Sequence, residues 1–244
     1  MNPALTLATT RRILTQLRHD PRTVVMLVLV PTLLMILLRF VFNSALVFSH
    51  VAPALLGVFP FLIMFLIASI TTLRERTTAT LERLMTLPIG RLDLLFGYAL
   101  AFGAIAVVQV ALAAGVSLSW LGLDLAGSIG MLLVIAVLDA LLGMALGLFV
   151  SAFARTEFQA IQFMPVFVLP QILLCGLFVP REDMGWLLRW VSEVMPLSYA
   201  VEALNRVTAS STVDAVILRD LVVVACCALL ALVLGAATLR RRTP

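Results

Sequence analysis

Long apolar segments separated by short polar ones dominate this chain. A helix that crosses a bilayer needs about 20 mostly apolar residues, and six segments of the sequence meet that requirement. We predict spanning helices at residues 24–42, 51–73, 94–118, 128–153, 158–179 and 221–239. The pattern therefore predicts an all-α integral membrane protein with six transmembrane helices, in one domain that covers residues 1–244.

Residues 3–20, ahead of the first span, have an amphipathic pattern. One face of the predicted helix carries arginines, and the other carries Leu7, Thr10, Leu14 and Leu17. A basic amphipathic helix beside a span favours the membrane surface, and the alternative is a short helix packed on the protein itself. Asp20-Pro21 should end this helix and turn the chain into the bilayer.

Residues 74–90, between the second and third spans, form the longest basic loop. Leu81, Leu84 and Met85 recur at helical spacing with charged residues around them. A short helix of this kind docks into a groove on a partner protein or lies on the bilayer. The composition does not separate these two interpretations.

Residues 180–216, after the fifth span, predict two short amphipathic helices that re-enter the outer leaflet. Pro180 and Pro196 are expected to start them. Three amphipathic rings suit the depth of the headgroups, namely Trp186, Trp190 and Tyr199. Both helices are too short to cross the membrane.

Pro165 and Pro170 interrupt the predicted fifth span. Backbone groups that a proline frees inside a bilayer must be satisfied by protein or by cavity water. This span is therefore a candidate for lining a pathway, and simple helix packing is an equal alternative.

Composition supports the membrane assignment and limits the chemistry. The chain is 62% hydrophobic and 12% charged, with a mean hydropathy of +1.13, which is too apolar for a soluble domain. The sequence contains no GxxxxGK phosphate loop, so we expect no ATP hydrolysis, and no enzyme activity, in this chain. His19 and His50 are far apart and the three cysteines lie in apolar segments, so no metal site is expected.

The arginines give the expected orientation. All 17 basic residues are arginine. Twelve precede the first span, follow the sixth, or lie in the loops after the second and fourth spans, whereas the short loops 43–50 and 119–127 have none. By the positive-inside rule both termini are expected to be cytoplasmic.

Asp139 is the sharpest polar feature inside a predicted span. A carboxylate at that depth costs about 2.5–3.5 kcal/mol on insertion scales, so it must face protein or water. It could bind a cation or a proton, or it could be a packed acid hydrogen-bonded to a neighbour such as Gln109. The second interpretation is favoured because Gly143 and Gly147 form a GxxxG motif on the same face, which brings another helix close.

Four segments in order along the chain resemble one transporter family. They read RHDPRT at 18–23, ERTTATLERL at 75–84, CGLFVP at 175–180 and MPLSYAVEA at 195–203. Together they are similar to the membrane subunit of an ABC-2-type ABC exporter. Ala79 departs from the glycine that is usual there in the family.

The resemblance implies a permease of a bacterial plasma membrane that exports amphipathic small molecules such as drugs, antibiotics or lipids. It implies two copies of the chain, or a paralogous second permease, and two separate ATPase subunits that hold ATP and Mg²⁺, with no cofactor in this chain. The expected ATPase-coupling residues are Glu75, Arg76, Thr80, Glu82, Arg83, Arg155 and Glu157. The expected pathway and gate residues are Gln162, Pro170, Gln171, Phe178, Pro180, Pro196 and Tyr199.

Three rival functions follow from the same sequence. A polysaccharide or glycolipid exporter would favour more aromatic stacking surfaces than 2 Tyr and 3 Trp provide. A proton-driven secondary transporter could use Asp139, but inverted repeats, which would support it, are not visible. An intramembrane enzyme needs a catalytic constellation at one depth, and the sequence presents none.

Overall fold

The computed structural model describes residues 3–78 and 90–238, without the side chains of 91 and 92. Within these ranges every regular element is helical. The α-helices are α1 (Pro3–Arg18), α2 (Pro21–Phe42), α3 (Ala45–Thr77), α4 (Arg91–Ser119), α5 (Ile129–Val150), α6 (Glu157–Leu174), α7 (Trp186–Val194), α8 (Pro196–Ala209) and α9 (Ala215–Thr238). A 3-10 turn, Arg181–Asp183, lies between α6 and α7.

Six of these helices, α2 to α6 and α9, are long and apolar enough to cross a membrane. The predicted fold class, with six spans and two short helices between the fifth and the sixth, is confirmed. α3 is longer than predicted, at 33 residues. α6 ends at Leu174 instead of the predicted residue 179, because Gly176 has a φ of +94° and takes the chain out of the helix.

α3 lies at the centre of the bundle and packs against α2, α4, α5, α6 and α8. Its closest neighbour is α5, and the GxxxG motif is the reason. A Cβ on Gly143 would stand 2.3 Å from the carbonyl oxygen of Phe61, and one on Gly147 would stand 2.3 Å from that of Phe65. Only glycine permits this approach of two helix backbones, so the predicted packing role of the motif is confirmed.

α2 begins where the sequence predicted a break. Pro21 occupies the first helical turn, and the carboxylate of Asp20 accepts hydrogen bonds from the Thr23 hydroxyl at 2.6 Å and its backbone N–H at 3.2 Å. These bonds, the hydroxyl one foremost, lower the pKa of Asp20. The predicted interruption of the fifth span is wrong, since α6 continues through Pro165 and Pro170.

α1 packs on the protein through a face that the sequence pattern did not single out. It buries Thr6, Thr9, Ile13 and Leu17. The contact is close, because a Cβ on Gly97 of α4 would stand 2.6 Å from the Thr9 side chain. Leu7 and Leu14, which the sequence pattern placed on one face with Leu17, are exposed, as side chains that face the membrane surface would be. Thr10 does approach α4, where its hydroxyl donates to the Gly97 carbonyl at 3.3 Å.

Candidate functional site

A buried polar cluster joins α1, α3 and α4 at one end of the bundle. Because α1 lies at this end, we call it the N-terminal end. Arg12 of α1 lies 3.3 Å from the carboxylate of Glu75 near the end of α3. The Tyr98 hydroxyl of α4 donates to the same carboxylate and receives a 3.4 Å bond from Arg12. Glu75 is only 7% exposed. Its carboxylate is therefore turned into the chain and bonded there, and a direct contact of Glu75 with an ATPase stays a prediction.

An exposed ion pair ties the end of α3 to the start of α6 at the same end. Arg74 donates two bonds to the carboxylate of Glu157, at 2.7 and 3.1 Å. Thr156 caps α6 by accepting from the backbone N–H of Gln159 at 3.2 Å, and Arg155 beside it is exposed. The two segments predicted to face an ATPase, around residues 74–78 and 155–157, are thus neighbours in space.

The remaining coupling residues are placed only in part. Arg76 is half-buried, and its Nε has no hydrogen-bond partner in the described part of the chain. Thr80, Glu82 and Arg83 lie outside the described residues.

Asp139 and Gln109 are both fully buried, but the hydrogen bond predicted between them does not form. Neither side chain has a hydrogen-bond partner among residues 3–78 and 90–238. Asp139 instead lies against α3, where its Oδ2 is 3.1 Å from the position of a Cβ on Gly57. The Leu204 side chain of α8 is 2.9 Å from the same position. Asp139 therefore sits in tight helix packing.

A cleft of about 1570 Å³ opens at the opposite end of the bundle, which we call the cleft end. It lies between the start of α3, the chain from Cys175 to Glu182, and helices α7, α8 and α9. Of the predicted gate residues, Pro180 and Tyr199 line it. Its ionisable lining residues are His50, Asp124, Arg181, Glu182, Arg189, Glu193, Tyr199, Glu202, Arg206 and Arg219.

Glu202 of α8 is the centre of an ion-pair network in this cleft. Its carboxylate lies 2.7 Å from Arg181, 3.2 Å from Arg206 and 3.7 Å from Arg219. Arg219 also binds the buried carboxylate of Asp220 at 2.7 Å. The network joins the 3-10 turn, α8 and α9. Sequence reasoning missed these arginines, although each falls on the side of the membrane where the positive-inside rule does not expect it.

The Tyr199 ring lies between two of these cations. The guanidinium carbons of Arg181 and Arg219 are 5.3 and 5.8 Å from the ring centroid, within the range of a cation–π interaction. The Tyr199 hydroxyl donates to the carbonyl of Glu193 at 2.7 Å. The ring, predicted to anchor in the headgroups, is thus part of the cleft wall.

The short helices differ in burial. α7 exposes its apolar and aromatic side chains, including Trp186 and Trp190, whereas α8 starts at Pro196 and buries half of its residues. Pro180 precedes the 3-10 turn and does not start an α-helix, which corrects that prediction. The end of α6 is tied to both helices, because hydroxyls of Ser192 and Ser198 donate to the Leu174 carbonyl at 2.8 and 3.3 Å.

The other predicted pathway residues do not line the cleft. Gln162 and Phe178 are exposed, and Pro170 is half-buried. Gln171 is buried, where its amide donates to the Phe167 carbonyl at 3.0 Å and accepts from the Leu197 N–H at 3.4 Å. A pathway that α6 lines would therefore run along its outward face, where Phe158, Val166 and Leu173 are also exposed.

Comparison with known proteins gives a consistent result. The profile of the ABC-2 type transporter family matches residues 4–207. The probable multidrug ABC transporter permease YbhS of Escherichia coli (strain K12) is 26% identical over 181 residues, which are 73% of this chain and 48% of that protein. The linearmycin resistance permease protein LnrN of Bacillus subtilis (strain 168) is 26% identical over 141 residues, 57% of this chain and 36% of LnrN.

A eukaryotic relative has the same segment inside a larger protein. ABC transporter G family member 20 of Dictyostelium discoideum is 24% identical over 157 residues, which are 64% of this chain and 22% of that protein. The chain thus spans half or less of the curated relatives it matches.

Proposed function

The chain belongs to the ABC-2 type transporter family, and on that premise we propose that it is the permease subunit of an ATP-driven exporter. The proposed substrates are amphipathic small molecules, such as drugs, antibiotics or lipids, which leave the cytoplasm or inner leaflet of a bacterial plasma membrane. YbhS is described as a probable multidrug permease and LnrN as a linearmycin resistance permease, which supports this substrate class. ATP and Mg²⁺ would bind to separate ATPase subunits.

The Arg12–Glu75–Tyr98 cluster is the observation that carries the proposal. It fixes α1, α3 and α4 to one another at the point where α3 leads into residues 79–89. That segment contains Leu81, Leu84 and Met85, the apolar residues proposed to dock on the ATPase. A force applied to it would reach three helices together, because a buried charged hydrogen-bond network resists separation.

We assign direct ATPase contact to the exposed residues of this end. Among the described residues these are Arg155 and the Arg74–Glu157 pair. Glu82 and Arg83, in the segment 79–89 outside the described residues, are assigned to the same contact from the sequence. Glu75 would act indirectly, by fixing the end of α3, from which residues 79–89 continue, to α1 and α4.

A second permease would complete the pathway. α2 and α6 are the least covered spans, with 22% and 17% of their most apolar windows buried, compared with 67% for α3. We propose that a second copy of this chain, or a paralogue, faces α6, so that Gln162 and Phe178 border the path between the two copies. The assembly would contain two permeases and two ATPases.

The test is ATP-dependent transport into inverted membrane vesicles. Vesicles carry this chain together with a candidate ABC ATPase from the same genome, and uptake of a fluorescent amphiphile is recorded with ATP, with a non-hydrolysable analogue, and with an uncoupler. The proposal expects uptake that requires hydrolysis and survives the uncoupler. Uptake that needs only a proton gradient would overturn it in favour of a secondary transporter that uses Asp139.

A further inference from the structure

The arginines that membrane topology does not explain are gathered in one place. Twelve of the 17 arginines follow the positive-inside pattern, and five do not. Arg39 is one of the five, and its Nε donates to the Leu121 carbonyl at 3.0 Å. The other four all line the cleft, namely Arg181, Arg189, Arg206 and Arg219. The positive-inside rule does not account for these four arginines, so their position requires another explanation.

Three of these arginines carry more positive charge than their partners neutralise. Arg181, Arg206 and Arg219 share Glu202, and Arg219 also uses Asp220. The group of these three arginines with Glu202 and Asp220 therefore carries a net charge of +1, whereas the cleft lining outside the group carries Asp124, Glu182 and Glu193 against Arg189. Arg189 is separate, since it pairs with Glu193 at 3.8 Å.

The network also has more hydrogen-bond donors than its carboxylates can accept. Each guanidinium has five N–H groups in a planar fork, whereas the acceptors within the network are the carboxylates of Glu202 and Asp220. The side chains of Arg206 and Arg219 are 42% and 54% exposed and both line the cleft. Phosphate oxygens match this donor geometry best, because guanidinium groups bind them bidentately.

Another part of the cleft wall is apolar. Leu46, Val47, Val51 and Leu177 line it, and Leu46 and Val47 are exposed. The cleft is larger than the roughly 300–1,000 Å³ of a typical small-molecule pocket, at about 1570 Å³. It has room for a charged group on the arginines together with part of an apolar tail on this wall.

We propose that the cleft binds the phosphate-bearing anionic headgroup of a membrane amphiphile. Arg181, Arg206 and Arg219 hold the phosphate, Tyr199 orients two of the guanidinium groups, and the tail leaves along the apolar wall at the start of α3. The binding step requires a bilayer but neither ATP nor transport. It therefore stands or falls separately from the exporter function.

The test uses the full chain in nanodiscs of phosphatidylcholine with a minor fraction of phosphatidylglycerol. Native mass spectrometry counts the lipids that remain bound after gentle removal of the disc. We expect the wild-type chain to retain phosphatidylglycerol in preference to phosphatidylcholine. The double variant R206Q/R219Q should lose this retention by about tenfold or more, since it removes two guanidinium groups that donate charge-assisted hydrogen bonds to the phosphate.

R189Q is the matched control for each single change, R206Q and R219Q, because it removes one positive charge from the same cleft outside the Glu202 network. It should retain the lipid as the wild type does. An equal loss of phosphatidylglycerol in R189Q would show that retention depends only on general electrostatic attraction, and it would overturn the site. A wild-type chain that did not prefer phosphatidylglycerol would also overturn the site. The wild-type comparison needs no variant, so it decides even if R206Q/R219Q fails to fold.

A last arm separates a lipid from a soluble phosphate. Glycerol 3-phosphate is added to wild-type nanodiscs that contain phosphatidylglycerol. The proposal expects the lipid to stay bound, because its tail adds apolar contact. Complete displacement by millimolar glycerol 3-phosphate would show a site for water-soluble phosphates and overturn the membrane amphiphile.

Discussion

The Tyr98 hydroxyl donates a hydrogen bond to the Glu75 carboxylate, which joins the start of α4 to the end of α3. Both side chains are buried, and Arg12 from α1 completes the cluster. Glu75 belongs to the resembling segment 75–84, whereas Tyr98 follows that segment in α4. Glu75, Tyr98 and Arg12 therefore contact one another within this chain.

Replacement of Tyr98 by phenylalanine should weaken this junction. The change leaves the Glu75 carboxylate with Arg12 as its remaining partner in the cluster, at a cost of about 1–3 kcal/mol for the lost buried bond. We expect a lower melting temperature in detergent and reduced stimulation of the partner ATPase by substrate. Thr15→Val is the control, since it removes an exposed hydroxyl of α1 that bonds only within its own helix. Unchanged stimulation in Tyr98→Phe would contradict a coupling role for the cluster.

Gly143→Ala should destabilise the chain without touching a polar group. The added Cβ would meet the Phe61 backbone, which cannot move aside as a side chain tip can, and overpacking of this kind costs about 1–3 kcal/mol. Gly115→Ala in α4 is the matched control, because nothing lies within 4 Å of its Cβ position. Thermal unfolding of both variants in one detergent measures the difference. Equal melting temperatures would show that α3 and α5 can separate freely.

Charge reversal of Glu82 should uncouple ATP hydrolysis from transport. Glu82 lies in the segment proposed to dock on the ATPase, where a reversed charge would repel the partner group that it now attracts. We expect Glu82→Arg to insert normally but to lose export and substrate-stimulated hydrolysis. Asp214→Arg, in the exposed chain between α8 and α9, should keep both. Normal export by Glu82→Arg would remove this residue from the interface.

Cysteine labelling tests whether α7 lies in the membrane. Ala200 is fully buried in the chain, so poor labelling of Ala200→Cys follows from packing alone. Leu187 is 57% exposed, and Leu187→Cys should resist impermeant thiol reagents only if lipid covers it. After replacement of the three native cysteines, we expect slow labelling at 187 without ATP and faster labelling during turnover. Ser211→Cys, exposed after α8, should react rapidly in both states, and rapid labelling at 187 in both states would show a solvated loop.

Assembly can be measured by mass. We expect the complex purified with its ATPase to contain two permease chains and two ATPase chains, because the exposed faces of α2 and α6 call for a partner. Native mass spectrometry of the detergent complex gives the stoichiometry directly. A stable and active complex with one permease and one ATPase would contradict the proposed dimer.

The lengths and spacing of the apolar segments predicted the fold well, but they did not predict which side chains contact one another. The six spans follow from apolar length alone, and the role of Gly143 follows from its spacing to Gly147. The face by which α1 packs on α4 was not predicted, because Gly97 admits Thr9, a small polar residue, whereas hydropathy singled out the leucines of α1. Hydropathy ranks residues by transfer energy and does not register such close backbone approach.

The candidate sites were predictable only in outline. The sequence indicated that charged residues near the end of α3 matter, but it could not tell that Glu75 turns inward to Arg12, a residue 63 positions away. The cleft was missed for the same reason, since Glu202 collects arginines from three separate segments. Partners of high sequence separation leave no local pattern.

The length of α3 makes it a lever between the two ends of the protein. At 33 residues it is about 50 Å long, well beyond the roughly 30 Å of a hydrocarbon core. Its first turns form a wall of the cleft, and its last turn carries Glu75. A tilt imposed at the proposed ATPase contact would therefore reach the opposite opening to the extent that the helix moves as one body, and Pro53 and Pro60 are the positions at which bending would reduce that transmission.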